Sequence, residues 1–328
     1  MAFNFSEKLP QRRIIVVMVG LFAFGIAVGM LFSISSKNVC VSKLMFVNRD
    51  LACGKPAVIE KTGYKETQGK ISVFIQGEKE AGRVTEAAVY FRDLRNGPIF
   101  GINETTDFAP ASLLKLPLAL VYLTQAERNP KILEERLSVE KPQWSFAEAF
   151  HPTETIKPQE PHTVEDLLKH MLSYSDNNAY GVLQTHFYET GQKDMITQVF
   201  LELGFIDPAN IYDEVMSVRQ YGSIFRALYN ISYLNAELSE KVLGWLADSD
   251  FKIGLKAGVP EDIVVAHKFG ERIAPSGAKQ LHDCGIVYYP ENPYLLCVMT
   301  RGRNFDDLST IIRHISDVVY TEVDSRRE

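Results

Sequence analysis

The sequence has no basic excess: 35 Lys and Arg stand against 41 Asp and Glu, for a net charge of −6. That balance excludes the electrostatic footprint of a nucleic-acid binder. Cysteine is scarce, with four in 328 residues, and none forms a Cys-x-x-Cys pair. A disulfide scaffold and a zinc ribbon are thereby excluded. The seven histidines include no His-Glu-x-x-His or similar spacing, so neither a metal nor another cofactor is expected. Low-complexity tracts are lacking too. With 46% hydrophobic and 23% charged residues, the chain has the profile of a folded protein.

There is one long apolar run. Residues 14–33, IIVVMVGLFAFGIAVGMLFS, carry no charge. At 1.5 Å per residue such a run spans about 30 Å, the hydrocarbon thickness of a bilayer. Lys8, Arg12 and Arg13 precede it and by the positive-inside rule stay in the cytoplasm. A cleaved signal peptide is the alternative, but its apolar core is usually about 7–15 residues and a small-residue cleavage site should follow; none is clear here. The expected organisation is a cytoplasmic tail at 1–13, a single-pass transmembrane anchor in the cell membrane at 14–33, a juxtamembrane spacer at 34–65 and an extracytoplasmic domain at 66–328. Cys40 and Cys53 lie in the spacer, where a disulfide and free thiols both fit an oxidising compartment.

The domain opens on KISVFIQGEKEA, whose pattern suits a helix or a strand. Thr85–Arg92 and Pro98–Asn103 read as strands joined at Arg95-Asn96-Gly97, a strong hairpin signal. After Pro110 the period turns helical, with Pro117 expected to kink or restart the helix. Helical patterns fill a subdomain of about 111–250, including a helix start at Thr163. Strands return at Ile263–Lys268, Cys284–Tyr289 and Tyr294–Thr300, and an amphipathic helix covers Phe305–Val323. The fold class is therefore α/β (α+β): an antiparallel sheet completed by distant segments, flanked by helices, with an all-helical subdomain inserted.

Three short elements carry chemistry. Ser112-Leu113-Leu114-Lys115 puts a hydroxyl and an amine one helical turn apart. A buried lysine of lowered pKa can act as the base that a nucleophilic serine needs. Ser-x-x-Lys also begins at Ser138, Ser249 and Ser276. Ser112 is favoured because it opens a buried helix. Ser175-Asp176-Asn177 occurs once, between two helical runs, where a helix cap is the plainer reading. Lys268-Phe269-Gly270 ends a strand, and Gly270 would let a substrate backbone approach the sheet edge. A literal Lys61-Thr62-Gly63 lies in the spacer, ahead of the serine, and is set aside.

In this order and on these elements, the three motifs resemble those of the penicillin-recognising serine hydrolases: class A β-lactamases and D-alanyl-D-alanine peptidases. The stretches FAPASLLKLPLAL, MLSYSDNNAYGVL and HDCGIVYYPENPYLLCVMTRG carry the likeness across about residues 80–325. The resemblance implies a β-lactamase/transpeptidase-like fold. It implies Ser112 as the acylated nucleophile, Lys115 as its base and Ser175 as a proton relay to the leaving nitrogen. Asn177 would hold the substrate amide, Lys268 would supply positive potential, and the N–H groups of Ser112 and Glu271 would form the oxyanion hole.

Two departures bear on activity. The class A enzymes carry a glutamate followed four residues later by asparagine in a loop after this helix, and that glutamate activates the deacylating water. No Glu-x-x-x-Asn occurs between Asn177 and Met216, and Asp213 and Glu214 lack the pattern. Deacylation of a β-lactam is therefore expected to be slow. Phe269 stands where the family has Thr or Ser, removing a hydrogen bond to the substrate carboxylate worth about 1.5–3 kcal/mol, and Phe269→Thr is expected to raise acylation. Cys284 and Cys297 flank the Pro-Glu-Asn-Pro turn on adjacent strands, where a disulfide and two buried thiols both fit. The leading expectation is a membrane-anchored hydrolase acting on cell-wall peptide or a β-lactam-like amide. A β-lactamase and a non-catalytic binding module are the alternatives. The oligomeric state is not read from these features.

Overall fold

The computed structural model describes residues 44–52, 63–95, 97–142, 144, 148–191, 193–204 and 215–326. The apolar run 14–33, Cys40, Cys53, Asn96, Asp213 and Glu214 lie outside the described residues. Among the described residues no helix is long and apolar enough to cross a membrane.

A five-stranded antiparallel sheet runs in the order β2-β1-β7-β6-β5, built from β1 (Val84–Asp93), β2 (Ile99–Ile102), β5 (Val265–Ile273), β6 (Lys279–Val287) and β7 (Tyr294–Gly302). Its two halves thus come from opposite ends of the domain. Along β1, Ala88 and Tyr90 face one core while Ala87, Val89 and Phe91 face the other; β7 alternates likewise, with Leu295, Cys297 and Met299 against Leu296 and Val298. The period-two alternation is that of a pleated strand. Here both faces are covered, so β7 reads as an unbroken apolar run.

On one face pack α2 (Lys65–Glu80) and the closing helix α9 (Phe305–Ser325). The ambiguous segment at Lys70 is thus helical: Ile71 and Ile75, one turn apart, supply its buried contacts. Helix α9 starts where Asn304 accepts the Asp306 N–H at 3.0 Å, and Asp306 and Asp307 favour the positive end of the helix dipole. The other face carries α7 (Val218–Tyr229) and α8 (Ala236–Ala247), and beyond them α3 (Lys115–Arg128), α4 (Val164–Ser173), α5 (Asn177–Glu189) and α6 (Lys193–Glu202). A two-stranded ribbon, β3 (Arg136–Leu137) and β4 (His162–Thr163), closes the loop before α4. The expected helix start is present, with Thr163 Oγ1 accepting the Asp166 N–H at 3.1 Å.

Three local outcomes refine the sequence reading. Pro117 falls in the first turn of α3, where its missing N–H breaks no bond, so the helix begins anew at Lys115 after a 3-10 turn at Ala111–Leu114. Strand β5 continues to Ile273 rather than ending at Lys268, because its pairing with β6 runs unbroken from Val265↔Val287 to Ile273↔Lys279. Cys284 and Cys297 are direct cross-strand partners and form a buried disulfide.

Residues 44–52, part of the stretch expected as a spacer, are seated on the helical half. Glu240 of α8 accepts the N–H groups of Met45, Phe46 (2.8 Å) and Val47 (3.0 Å). Asn48 N–H donates to Tyr229 O at 2.7 Å, and Tyr288 donates its hydroxyl to Phe46 O at 2.9 Å. The four-residue helix α1 (Arg49–Ala52) follows.

Candidate active site

Ser112 sits in the 3-10 turn ahead of α3 and is half-buried, while Lys115 is only 2% exposed. The turn is held from several sides. Tyr221 of α7 donates its hydroxyl to Leu113 O at 3.0 Å. Just upstream, Ala109 N–H donates to Gln280 Oε1 at 3.2 Å, and His282 Nε2 lies 3.0 Å from Ala109 O. His282 Nδ1 accepts the Thr300 N–H at 3.3 Å, so the ring donates from Nε2 and is neutral. Burial lowers its pKa to about 4, in keeping with that role.

Gly270 supplies a further constraint. A Cβ there would lie 2.8 Å from Pro110 O and 3.0 Å from Leu113 Cγ. The glycine lets β5 press against the Ser112 turn. The Ser112 turn thus lies against the side of Gly270 where a side chain would stand. Ala111 (φ 51°) and Ser175 (φ 55°) both hold left-handed backbone without being glycine. Such conformations cost about 1–3 kcal/mol each and persist where the surroundings over-determine them.

Two lysines meet on one hydroxyl. Lys115 Nζ donates to Asn177 Oδ1 at 2.7 Å, to Ser175 Oγ at 3.1 Å and to Ser175 O. Lys268 Nζ reaches the same Ser175 Oγ at 2.8 Å and Phe269 O at 3.0 Å. Burial lowers the Lys115 pKa to about 7 against the opposing pull of Asp176, Glu148 and Glu271. Lys268, 1% exposed, is pushed well below the usual lysine range by burial and then by the charge of Lys115. A lysine that is neutral near pH 7 has a lone pair to offer a hydroxyl. The hydrogen bonds of Lys115 go to Ser175 and Asn177 rather than to Ser112 Oγ.

The expected site residues are thus brought together: Ser112 and Lys115 from the start of α3, Ser175 and Asn177 from the α4–α5 turn, and Lys268 to Glu271 from the edge strand β5. Phe269 packs into an aromatic cluster at the floor of a small cleft lined also by Phe150, Thr153 and Phe251. Its ring is buried and stacked on Phe251 at 4.1 Å and 13°, with Phe150 edge-on at 6.2 Å. Asp176 acts as the helix cap expected of it, accepting the Asn178 N–H at 2.8 Å.

The sequence reading missed the loop that covers these residues. Three carboxylates from three separate elements hold it. Glu271 accepts the N–H groups of Ala149 (2.8 Å) and Phe150 (3.0 Å). Asp250 accepts Thr153 N–H (2.8 Å) and its hydroxyl (3.1 Å). Asp176 accepts the Thr155 hydroxyl and the Ile156 N–H, both at 2.8 Å. Burial raises the Glu271 pKa, opposed by those backbone donors and reinforced by Glu148. The loop also delivers Glu148, which accepts from Asn177 Nδ2. No motif or period marks this segment; its bonds run to distant carboxylates, mostly from backbone, and leave no trace in side-chain spacing.

The fold, with a Ser-x-x-Lys turn facing a serine shared by two lysines, is the architecture of the penicillin-recognising serine hydrolases. The chain belongs to the beta-lactamase enzyme family, whose model matches residues 70–323. Among solved structures, PBP-A is similar with a TM-score of 0.67 at 22% identity, covering 82% of this chain and 100% of that one. A β-lactamase from Chitinophaga pinensis DSM 2588 reaches 0.66 at 20% identity, covering 79% of this chain and 99% of that one. The TLA-1 extended-spectrum β-lactamase reaches 0.65 at 18% identity, covering 78% and 98%. No curated protein sequence matches the chain.

Proposed function

We propose that this chain is an acyl-enzyme-forming serine hydrolase of D,D-peptidase type, held at the outer face of the cell membrane by residues 14–33 and acting on cell-wall peptide or a related amide. The observation that carries this reading is the shared Ser175 hydroxyl, with Lys268 at 2.8 Å and Lys115 at 3.1 Å, the latter of pKa about 7. Neutral Lys115 takes the proton of Ser112 Oγ as that oxygen bonds to the substrate carbonyl carbon. The resulting oxyanion is held by the N–H groups of Ser112 and Glu271. The proton passes from Lys115 through Ser175 to the leaving nitrogen, the C–N bond breaks, and the acyl group stays on Ser112 as an ester. Water or an amine then releases it. Without a loop glutamate of the Glu-x-x-x-Asn type, release from a β-lactam adduct is slow.

Intact-mass analysis of the protein with benzylpenicillin, beside Ser112→Ala, tests this. A lasting adduct on the wild type alone is expected. One solved structure of a PBP-A mutant is an acyl-enzyme complex with penicillin G, so the adduct has a precedent on this fold. The β-lactamases among the structural neighbours support turnover as the second reading; penicillin consumed without an adduct would favour it. Neither adduct nor consumption would reject both.

A further inference from the structure

At the turn between β6 and β7, away from the catalytic groups, lies a second cleft of about 450 Å³. Cys284 of β6 pairs with Lys268, and Tyr288, which lines the cleft, comes four residues further along, about 13 Å at the rise of a strand. One wall is the segment 44–52, which precedes the residues 70–323 matched by the family model. That wall is fixed in place. Asn48 Nδ2 donates to Asn230 Oδ1 at 3.1 Å, and Arg49 Nε donates to Leu44 O at 2.8 Å. The cleft thus exists because of residues outside the family's matched span. Its chemistry is two-sided. Arg49 and Arg95, from separate segments, both line it and both are exposed. With Nε spent on Leu44 O, Arg49 keeps its two terminal nitrogens. Among the described residues neither arginine pairs with a carboxylate, and Glu291 is the one acid lining the cleft. Around them stand the rings of Tyr288 and Tyr289 and the side of Pro290. The two tyrosine hydroxyls donate elsewhere, to Phe46 O at 2.9 Å and Asp324 Oδ1 at 2.7 Å, so the tyrosines offer the cleft ring carbon.

We infer that this cleft binds a phosphodiester, and that the phosphodiester is the headgroup of an anionic phospholipid. Guanidinium forks match phosphate oxygens, and two of them beside one carboxylate leave the cleft in favour of an anion. Aromatic rings and proline next to those forks suit a phosphate that carries apolar groups, as tyrosine does at membrane interfaces. The phosphodiester chemistry stands on the cleft alone. The lipid source rests on the anchoring proposed above: the segment 44–52 is the first part of the domain to follow the apolar run 14–33, so the cleft is built on chain leaving the bilayer. The site is separate from acylation, and none of its lining residues takes part in the proton path from Ser112 to Ser175.

Full-length protein in a non-ionic detergent is titrated calorimetrically with three probes. These are dihexanoyl phosphatidylglycerol, dihexanoyl phosphatidylcholine, and glycerophosphoglycerol, the same anionic diester without acyl chains. Phosphatidylglycerol should bind saturably, at least about fivefold tighter than either of the others. Arg49→Gln and Arg95→Gln should each weaken it about fivefold, near what one basic residue contributes at an anionic surface, and both together about twentyfold. Acylation by benzylpenicillin should be unchanged in all three variants. Glycerophosphoglycerol binding as tightly as phosphatidylglycerol would keep the phosphodiester site and overturn the lipid source. Phosphatidylcholine binding as tightly, no saturable binding, or a double variant that binds like wild type overturns the inference. Carbonate extraction of membranes reads the anchoring by itself. Protein released by it would reject the anchoring and with it the lipid source, whereas membrane-retained protein that fails the titration rejects this inference alone.

Discussion

Replacing Lys115 with methionine should make the protein more stable than the wild type in mild acid and remove that advantage in base. The lysine titrates near pH 7 when folded, against 10.5 for an exposed side chain. Below pH 7 it is charged in both states, and the full cost of holding that charge in a buried site is present. Between the two values the unfolded chain holds the proton and the folded chain does not, so the cost shrinks as pH rises. The gap amounts to about 5 kcal/mol in acid, of which roughly 3 kcal/mol is relieved between about pH 6 and pH 9. Methionine fills the volume of the lysine stem. It also leaves Asn177 Oδ1 and Ser175 O short of a donor, which costs about 1–3 kcal/mol. The net expectation is a gain of about 2–4 kcal/mol near pH 6, falling to within about 1 kcal/mol of parity near pH 9. Urea denaturation of both proteins at the two pH values measures it, and the difference between the proteins cancels the titrating groups that do not feel the Lys115 charge. A wild-type-to-variant difference that does not change with pH would refute the reasoning, since a buried lysine of lowered pKa must produce one. Under the mechanism proposed above, acylation should also fall about tenfold per unit as pH drops below 7, because only neutral Lys115 accepts a proton.

Gly270→Ala should cost about 1–3 kcal/mol of stability by forcing a methyl against Pro110 O and Leu113, and should slow acylation by displacing the Ser112 turn; thermal denaturation and adduct formation check both, and wild-type values for either count against the close approach described. Glu271→Ala should release the Ala149 and Phe150 amides, seen as faster hydrogen exchange at those two positions while the α9 amides keep their protection. Replacing Cys284 and Cys297 together by alanine should lower stability by about 3 kcal/mol for a bridge closing a loop of this short span; an unchanged urea midpoint would mean that the sheet alone fixes the two strands.

The parts of this molecule legible in sequence are those where one physical rule acts alone. Helix α9 shows its buried face through Leu308, Ile311, Ile312 and Ile315 at helical spacing, and Thr163 announces α4 because a cap is a local bond. Ser112, Lys115, Ser175, Asn177 and Lys268 could be picked out because each belongs to a short motif. Where two rules compete the reading stopped early. A glycine and a glutamate look like the end of a strand, yet Gly270 and Glu271 stay in β5 because β6 pairs with them along its whole length. The role of Phe269 was only half visible. The missing hydroxyl could be read directly, but the stacking on Phe251 depends on a residue 18 positions away. The loop bearing Glu148 and Phe150 was not visible at all. Its order comes from Glu271, Asp250 and Asp176, which are far from it in sequence and bind four of its backbone N–H groups and two threonine hydroxyls.

The seating of Met45, Phe46 and Val47 on Glu240 decides where this domain can be cut free. A fragment begun at residue 66, the boundary suggested by the apolar pattern, would strip three N–H donors from one carboxylate and uncover the side of Tyr288 on which Phe46 packs edge-on at 5.3 Å. It would also leave Tyr229 O without the Asn48 donor. The excisable unit therefore begins no later than Leu44. Between the end of the apolar run and that point lie only ten residues of chain, a leash of about 35 Å at full stretch. Under the anchoring proposed above, a domain on that length of chain would draw its substrates from the layer next to its attachment point.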